Sequence, residues 1–367
     1  MEKSKNLLII VNPYMQGGFL GLLKGLADLG ATVVTEEPLD PRFIRIRGHF
    51  TSVGKFSKRN AFWTPRFSEL VSICRANTIE HIHVVGEPTY SSSYSAIRMK
   101  RKAIVGSVSC RVAQNERHFL PTPFKQFLKG FEAYGGYCFP VADASKKFVE
   151  KNYNIKIKGI LSNGAPDEFY EYPRNRIPRD GILYVGSFTE RKGVFDLITG
   201  MATSDLCHKK LTLVGDDPRK LSLILSRYGE FSKRVTCIKK LPINDLVKFY
   251  DQAEVVIVPS KRTRGNDIGL LSRIFPIPWR EQFGRVIVEA FARGTPVVGS
   301  DSGAIPELIG NPELIFEAGN PQALKKRVEH FFNEIAPKLD CEIYFQKSLK
   351  FKWSFLAQQL VREINST

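Results

Sequence analysis

The chain has 367 residues, 43% of them hydrophobic. That is room for two domain cores, and no run reaches the roughly 18 to 20 apolar residues that a membrane-spanning helix needs. Its 54 Lys and Arg against 37 Asp and Glu give a net charge of +17, weighted to the N-terminal half: 27 basic and 16 acidic residues stand up to Asp180, 27 and 21 beyond it. Such a field favours anionic partners without choosing among nucleotide diphosphates, anionic glycans, a membrane surface and nucleic acid.

In chain order, Asn6 to Val11, NLLIIV, predicts a buried parallel strand. The opening MEKSKNLLIIVNPY is too short an apolar run for a signal peptide, so the expected location is cytoplasmic, with peripheral association at a membrane face left open. The turn NPYMQGG follows, then a helix from Leu20 to Leu29 and a second strand from Gly30 to Val34. Gly17-Gly18 is not the dinucleotide fingerprint; it reads either as a plain tight turn or as a backbone surface that a phosphate can approach. Residues 42–66 predict an irregular, acceptor-side loop. Ile79 to Val85 is a strand on which His81 and His83 share a face, without a third ligand to make a zinc site. A helix from Tyr94 to Met99 and a strand from Ala103 to Val108 come next.

Between Pro121 and Phe139, the residues Phe124, Phe127, Leu128, Phe131 and Tyr134 form a helical stripe with Lys125 and Lys129 beside it. That pattern fits a domain-core helix or a helix lying on a membrane surface. Short strands at Cys138 to Val141 and Lys158 to Leu161 flank a Lys-rich helix, Ala144 to Asn152, and Ser162-Asn163-Gly164 closes the first domain. The six cysteines, with no CxxC pair, predict mostly buried reduced thiols.

The polar stretch Tyr172 to Asp180 predicts the linker. A new strand, Ile182 to Val185, leaves through Gly186-Ser187 and reaches Arg191-Lys192-Gly193 ahead of a helix. Small residues next to two cations at a strand-to-helix turn suit a diphosphate. Strands at Leu211 to Val214, Val235 to Ile238 and Val255 to Val258 continue the series, with helices at Lys220 to Tyr228 and Asn244 to Ala253. Two successive sets of alternating strand and helix predict two α/β domains.

The stretch from Pro276 to Gly310 holds the chemistry. Glu281 and Glu289 are separated by just over two helical turns. If Glu281 stands ahead of a helix opened by Phe283-Gly284 and Glu289 lies within it, both address one crevice, at a helix N-terminus suited to phosphate. Gly294 ends the helix, and Val297 to Ser300 is the next strand.

These residues carry a resemblance. Gly186-Ser187, Lys192-Gly193, Pro259-Ser260, Glu281 with Glu289, Gly294 to Val298, and Gly303 with Pro306-Glu307 stand in the order seen in retaining GT-B glycosyltransferases, and this half of the chain most resembles glycosyltransferase family four. The resemblance implies a GT-B fold of two facing Rossmann-like domains around a central cleft. Residues 1–172 would form an acceptor domain, joined by a C-terminal helix at 350–367 that crosses back, and residues 173–349 the donor domain. It also implies that Glu281 faces the hydroxyls of the transferred sugar and Glu289 the ribose. Lys192 holds the diphosphate, with Arg191, Ser187, Gly186, the amides near Phe283, Gly284 and Arg285, and Gly17-Gly18 around the nucleotide-sugar. The expected reaction is sugar transfer from a nucleotide-sugar donor to a glycan, lipid-linked or surface-polysaccharide acceptor, with retained configuration, no metal, no cofactor and no nucleic-acid partner. A same-fold nucleotide-sugar epimerase, or a basic protein binding nucleic acid or anionic membrane through a degenerate sugar site, are the other readings.

Three departures from the family pattern stand out. Ser187 occupies a position often held by Arg, which Arg191 would then replace. No His closes the strand equivalent to Ala103 to Val108, so no catalytic base is assigned. Ser260 and Glu281 are separated by an insertion, 261–280, that is basic and carries Trp279; it reads either as a structural loop packed on the domain or as a lip over the donor site that contacts an anionic or glycan acceptor, with stacking from Trp279.

Overall fold

Short apolar runs such as LLIIV at Leu7–Val11 and VVIV at Val255–Val258 become buried parallel strands in the computed structural model, which describes residues 6–13, 15–50, 63–116, 122–171, 178–265 and 277–366. Two units emerge. One runs to Asn163 and takes in the stretch from Trp353 onward; the other comprises Gly164–Gly265 and Pro278–Lys352.

The N-terminal unit is built on strands β1 (Leu7–Val11), β2 (Thr32–Thr35), β3 (Ile44–Arg45), β6 (His81–Val85), β7 (Ser107–Val112), β8 (Tyr137–Pro140) and β9 (Lys156–Ile157), in the spatial order β3-β2-β1-β6-β7-β8-β9. A small antiparallel ribbon, β4 (Gly48–Phe50) with β5 (Trp63–Pro65), accompanies it. Strand order reverses between β1 and β6, the mark of a doubly wound sheet. The helix Gln16–Asp28 covers one face through Leu22, Leu23 and Leu26, and the final helix, Trp353–Asn365, joins it there with Trp353, Leu356, Ala357 and Leu360. The amphipathic C-terminal segment is thus part of the N-terminal unit's core.

Several elements settle differently from their sequence reading. Gly17 and Gly18 lie in the first turn of the helix Gln16–Asp28, because Asn12 and Pro13 already make the turn: the Met15 N–H reaches the Asn12 carbonyl at 2.8 Å. The strand expected at Ala103 to Val108 is instead Ser107–Val112, since Ala103 takes φ 52° and closes the helix Ser91–Arg101. That strand leaves through Ala113-Gln114-Asn115, again without a His. The strand expected at Lys158 to Leu161 stands at Lys156–Ile157. The Phe-rich stripe lies on the helix Thr122–Ala133, where Phe131 is fully buried and Phe127 stacks on Tyr94 at 4.9 Å, so its apolar side faces the unit's own core. Cys74, Cys110 and Cys138 are buried, Cys237 and Cys341 partly so and Cys207 exposed; all six are free thiols.

The two strand histidines are core groups. His81 meets Ser107 Oγ at 2.6 Å and Ser109 Oγ at 2.8 Å, and His83 meets Ser109 Oγ at 2.8 Å. Burial pushes His81 down to about 3, helped by the Lys100 charge, and burial likewise holds His83 well below the ordinary histidine range. Both rings are therefore neutral polar members of the sheet face. Among the described residues, no three His, Cys, Asp or Glu side chains gather as a metal site.

The C-terminal unit's sheet comprises β10 (Ile182–Val185), β11 (Leu211–Gly215), β12 (Val235–Lys239), β13 (Val255–Val258), β16 (Val297–Ser300) and β17 (Ile315–Phe316), in the order β12-β11-β10-β13-β16-β17. A two-stranded ribbon joins β14 (Thr263–Gly265) to β15 (Ile277–Trp279). The helix expected at Lys220 to Tyr228 is broken into Pro218–Leu221, Ser222–Leu225 and Gly229–Ser232. The unit begins at Gly164, ahead of the linker read from sequence, because the helix Glu168–Glu171 is tied into it: Phe169 packs on Tyr250, and its carbonyl accepts from Arg293 Nη1 at 2.9 Å. Arg293 also donates to both oxygens of Asp251, at 2.8 and 2.9 Å, in a buried ion pair. Most of the expected linker (172–177), most of the expected lip (266–276) and residues 51–62 of the acceptor-side loop lie outside the described residues.

Candidate active site

Three strand exits of the C-terminal unit meet at one carboxylate. From β10 the chain passes Gly186-Ser187 into the single turn Glu190–Lys192, closed by Gly193 at φ 71°. A side chain at Gly193 would strike the Pro259 carbonyl just past β13, so this turn and the β13 exit touch backbone to backbone and only glycine fits. Beyond β13, Ser260 donates its hydroxyl to Glu281 Oε2 at 2.7 Å, and Lys192 Nζ donates to the same oxygen at 2.6 Å.

Glu281 is held from below as well. Its N–H donates to Ser302 Oγ at 3.2 Å, and its carbonyl accepts from the Ala304 N–H at 3.0 Å. Gly303, at φ 59°, lies so close that any side chain there would strike that carbonyl. Ser302 Oγ in turn donates to the Lys261 carbonyl at 2.9 Å, and Ser300 Oγ to the Ser260 carbonyl at 2.5 Å. The exits of β10, β13 and β16 are therefore laced together around Glu281, which is only 7% exposed. Burial pushes its carboxyl up, but the Lys192 charge, the hydrogen bonds from Lys192 and Ser260, and the Arg191 charge outweigh it and carry it below the ordinary carboxylate value. It is an anion at neutral pH.

An ammonium has three N–H bonds. Among the described residues, Lys192 Nζ spends one on Glu281, and the Trp279 ring centre lies 5.1 Å away, with the Arg191 guanidinium 4.9 Å from the same ring. Two cations on one loop, one with donors to spare, can receive a diphosphate.

Behind Glu281, Phe283 is buried against Phe351, and Gly284 caps the helix Arg285–Ala292. Glu289 lies within that helix and accepts from the buried Tyr250 hydroxyl at 2.8 Å. Burial and the neighbouring Glu289 hold that phenol far above its usual range, so it is a fixed donor. On the β10 exit, the Ser187 carbonyl accepts from Tyr184 Oη at 2.8 Å, and the Phe188 N–H donates to Asp216 at 2.9 Å, which shapes the turn.

Nine of the eleven residues picked from sequence thus fall at strand exits or the helix start of the C-terminal unit; Gly17 and Gly18 belong to the N-terminal unit. Ser260 stood in the Pro-Ser pair without a role, and Ser302 and Tyr250 were not picked at all. Nothing in sequence separates a Tyr that orients a carboxylate from an ordinary core aromatic.

The model of the family described as glycosyl transferases group 1 matches residues 175–342. Over 194 residues the chain is 27% identical to the D-inositol 3-phosphate glycosyltransferase of Corynebacterium urealyticum, covering 49% of this chain and 41% of that protein. Over 142 residues it is 30% identical to the N-acetyl-alpha-D-glucosaminyl L-malate synthase of Bacillus anthracis, covering 38% and 32% respectively. The chain therefore spans less than half the length of either relative. Among solved structures, Anabaena HepE in complex with UDP is similar over 100% of both chains (TM-score 0.74, 17% identity). A glycosyltransferase from Rickettsia africae is similar over 99% of this chain and 100% of that one (TM-score 0.73, 16% identity). The fold is the GT-B fold.

Proposed function

We propose that this chain, whose residues 175–342 match the model of the glycosyl transferases group 1 family, transfers a sugar from a nucleotide-diphosphate donor to a glycan or lipid-linked acceptor. The observation that carries this reading is the Lys192–Glu281–Ser260 cluster at the strand exits, beside the start of the helix Arg285–Ala292. A buried carboxylate kept ionised by a lysine accepts hydroxyl protons in fixed directions, as sugar recognition demands. Glu289, oriented by Tyr250, offers a second acceptor for the ribose.

In the reaction, the bond from the anomeric carbon to the diphosphate breaks and the acceptor oxygen bonds on the same face. The acceptor's proton passes to the leaving phosphate oxygen, so no protein base is needed. Negative charge grows on the diphosphate as it leaves, and the Lys192 ammonium, the Arg191 guanidinium and the amides near Phe283 to Arg285 supply the positive field there. With those groups in the role of a divalent ion, transfer is independent of metal and retains configuration.

The test begins with UDP-, GDP- and ADP-sugars in a thermal-shift screen, because a donor that binds the native state raises Tm. UDP-sugars come first, given the likeness to HepE. Glu281→Ala is expected to abolish transfer with nucleotide binding largely kept, and Glu289→Ala to weaken nucleotide binding. Wild-type transfer rates in both variants would refute the assignment.

A further inference from the structure

The basic insertion between Ser260 and Glu281 has two roots within the described residues, and both hold the Arg191–Lys192 turn. At the first, the Lys261 N–H donates to the Arg191 carbonyl at 2.8 Å, while Lys261 Nζ binds Asp196 at 2.7 Å and Glu190 at 3.2 Å, clamping the turn on either side. At the second, Trp279 on β15 presents its ring to Arg191 and Lys192 together, 4.9 and 5.1 Å from its centre. Its place on the insertion predicts stacking on an acceptor, yet the ring lies against the two cations proposed for the donor's diphosphate.

We propose that Trp279 is a positioning residue that holds the Lys192 ammonium and the Arg191 guanidinium for the donor's diphosphate. A lysine side chain carries four rotatable bonds and a strongly hydrated head, so an unrestrained Lys192 would lose much of its phosphate affinity to its own ordering. Glu281 fixes the ammonium from one direction. Glu281 alone, however, competes with phosphate for the same charge. An indole face attracts the cation without taking up any of its N–H bonds, so it restricts the ammonium and leaves its donors to phosphate. For Arg191 the contact with the ring face does the same work and takes up none of the guanidinium N–H bonds. The ring comes from the insertion itself, so the segment that lengthens this chain between Ser260 and Glu281 also tunes its phosphate-holding turn.

This rests on the donor-site reading above, and its test is a double-mutant cycle read by calorimetric binding of UDP to the full chain: wild type, Trp279→Leu, Lys192→Ala and the double variant. Leucine keeps apolar bulk and removes the π face. Trp279→Leu is expected to weaken UDP about fivefold in the wild-type background and by less than about twofold once Lys192 is gone, because only the Arg191 share of the effect then remains. Trp279→Phe should recover most of the loss. Equal losses in both backgrounds, or no loss in either, would overturn the proposal, as would failure of Phe to rescue while Tm is unchanged. Because the readout is binding, a wild type that binds UDP but transfers from no donor refutes the transferase reading alone. Failure of the wild type to bind any of UDP, GDP and ADP overturns both.

Discussion

The two units share a parallel doubly wound sheet, yet the polar groups on their strands and strand exits are met differently. In the C-terminal unit, buried charges come in pairs: Lys192 with Glu281 at the strand exits and Arg293 with Asp251 deeper in. In the N-terminal unit Asp40 is paired as well, with Arg42 at 2.8 Å, but the polar groups on the sheet strands are answered by neutral ones. His81 and His83 lean on serine hydroxyls, and the buried Arg111 donates from Nη2 to the Leu161 carbonyl at 3.2 Å and to Asn163 Oδ1 at 2.8 Å, with no carboxylate within ion-pair reach among the described residues. The lesson is that the architecture itself does not prescribe an anion site. One copy of it has collected fixed cations at its strand exits, and that copy carries the family match.

The contrast can be broken in order of expected effect. Arg293→Ala should be the most damaging, leaving Asp251 buried and the Phe169 carbonyl unmet; a loss of about 3–5 kcal/mol is expected in chemical denaturation of the C-terminal unit. Glu281→Ala should abolish transfer, a loss of at least roughly 10²–10³-fold, with the far-UV spectrum unchanged, since it strands Lys192 and removes the proposed sugar-hydroxyl acceptor.

The N-terminal unit should instead be acid-sensitive. Unfolded, its buried histidines take up protons near pH 6.5, whereas folded His81 stays neutral to about 3. The stabilising contribution of neutral His81 is thus whole above roughly 6.5 and is lost as pH falls toward 3, and His83 acts in the same direction. Denaturation midpoints measured from pH 7 to pH 4 should therefore fall, and His81→Gln with His83→Gln should flatten the slope; an equal slope in the double variant would erase the contrast. Tyr250→Phe is a smaller perturbation: losing one donor to Glu289 should weaken nucleotide binding by about 1 kcal/mol or less. Smallest of all, a chelator should leave the transfer rate unchanged, and a rate restored only by a divalent ion would show that Lys192 and Arg191 do not suffice.

Much of this was legible in the sequence for a definite reason. Several parallel strands read as short apolar runs, and the positive-φ glycines Gly193 and Gly303 stand where backbones touch. Glu281 ahead of a helix and Glu289 within it followed from the Phe283-Gly284 turn together with helical spacing. What sequence did not carry was contact between remote segments. Nothing local to Ser260 says that its hydroxyl reaches Glu281, and nothing near Trp279 says that its ring meets two cations. The shifted strand at Ser107–Val112 failed for a different cause: a non-glycine residue, Ala103, took a left-handed turn that composition does not advertise.

The final helix has a consequence for how the protein is made. Leu22, Leu23 and Leu26 are covered by Trp353, Leu356, Ala357 and Leu360, residues that leave the ribosome only after the whole C-terminal unit. Through most of synthesis the first unit must wait with a greasy flank uncovered, a state prone to sticking to other nascent chains. A chain stopped short of Trp353 would keep that flank exposed, so a late stop codon should be far more harmful than its distance from the Lys192–Glu281 pair implies.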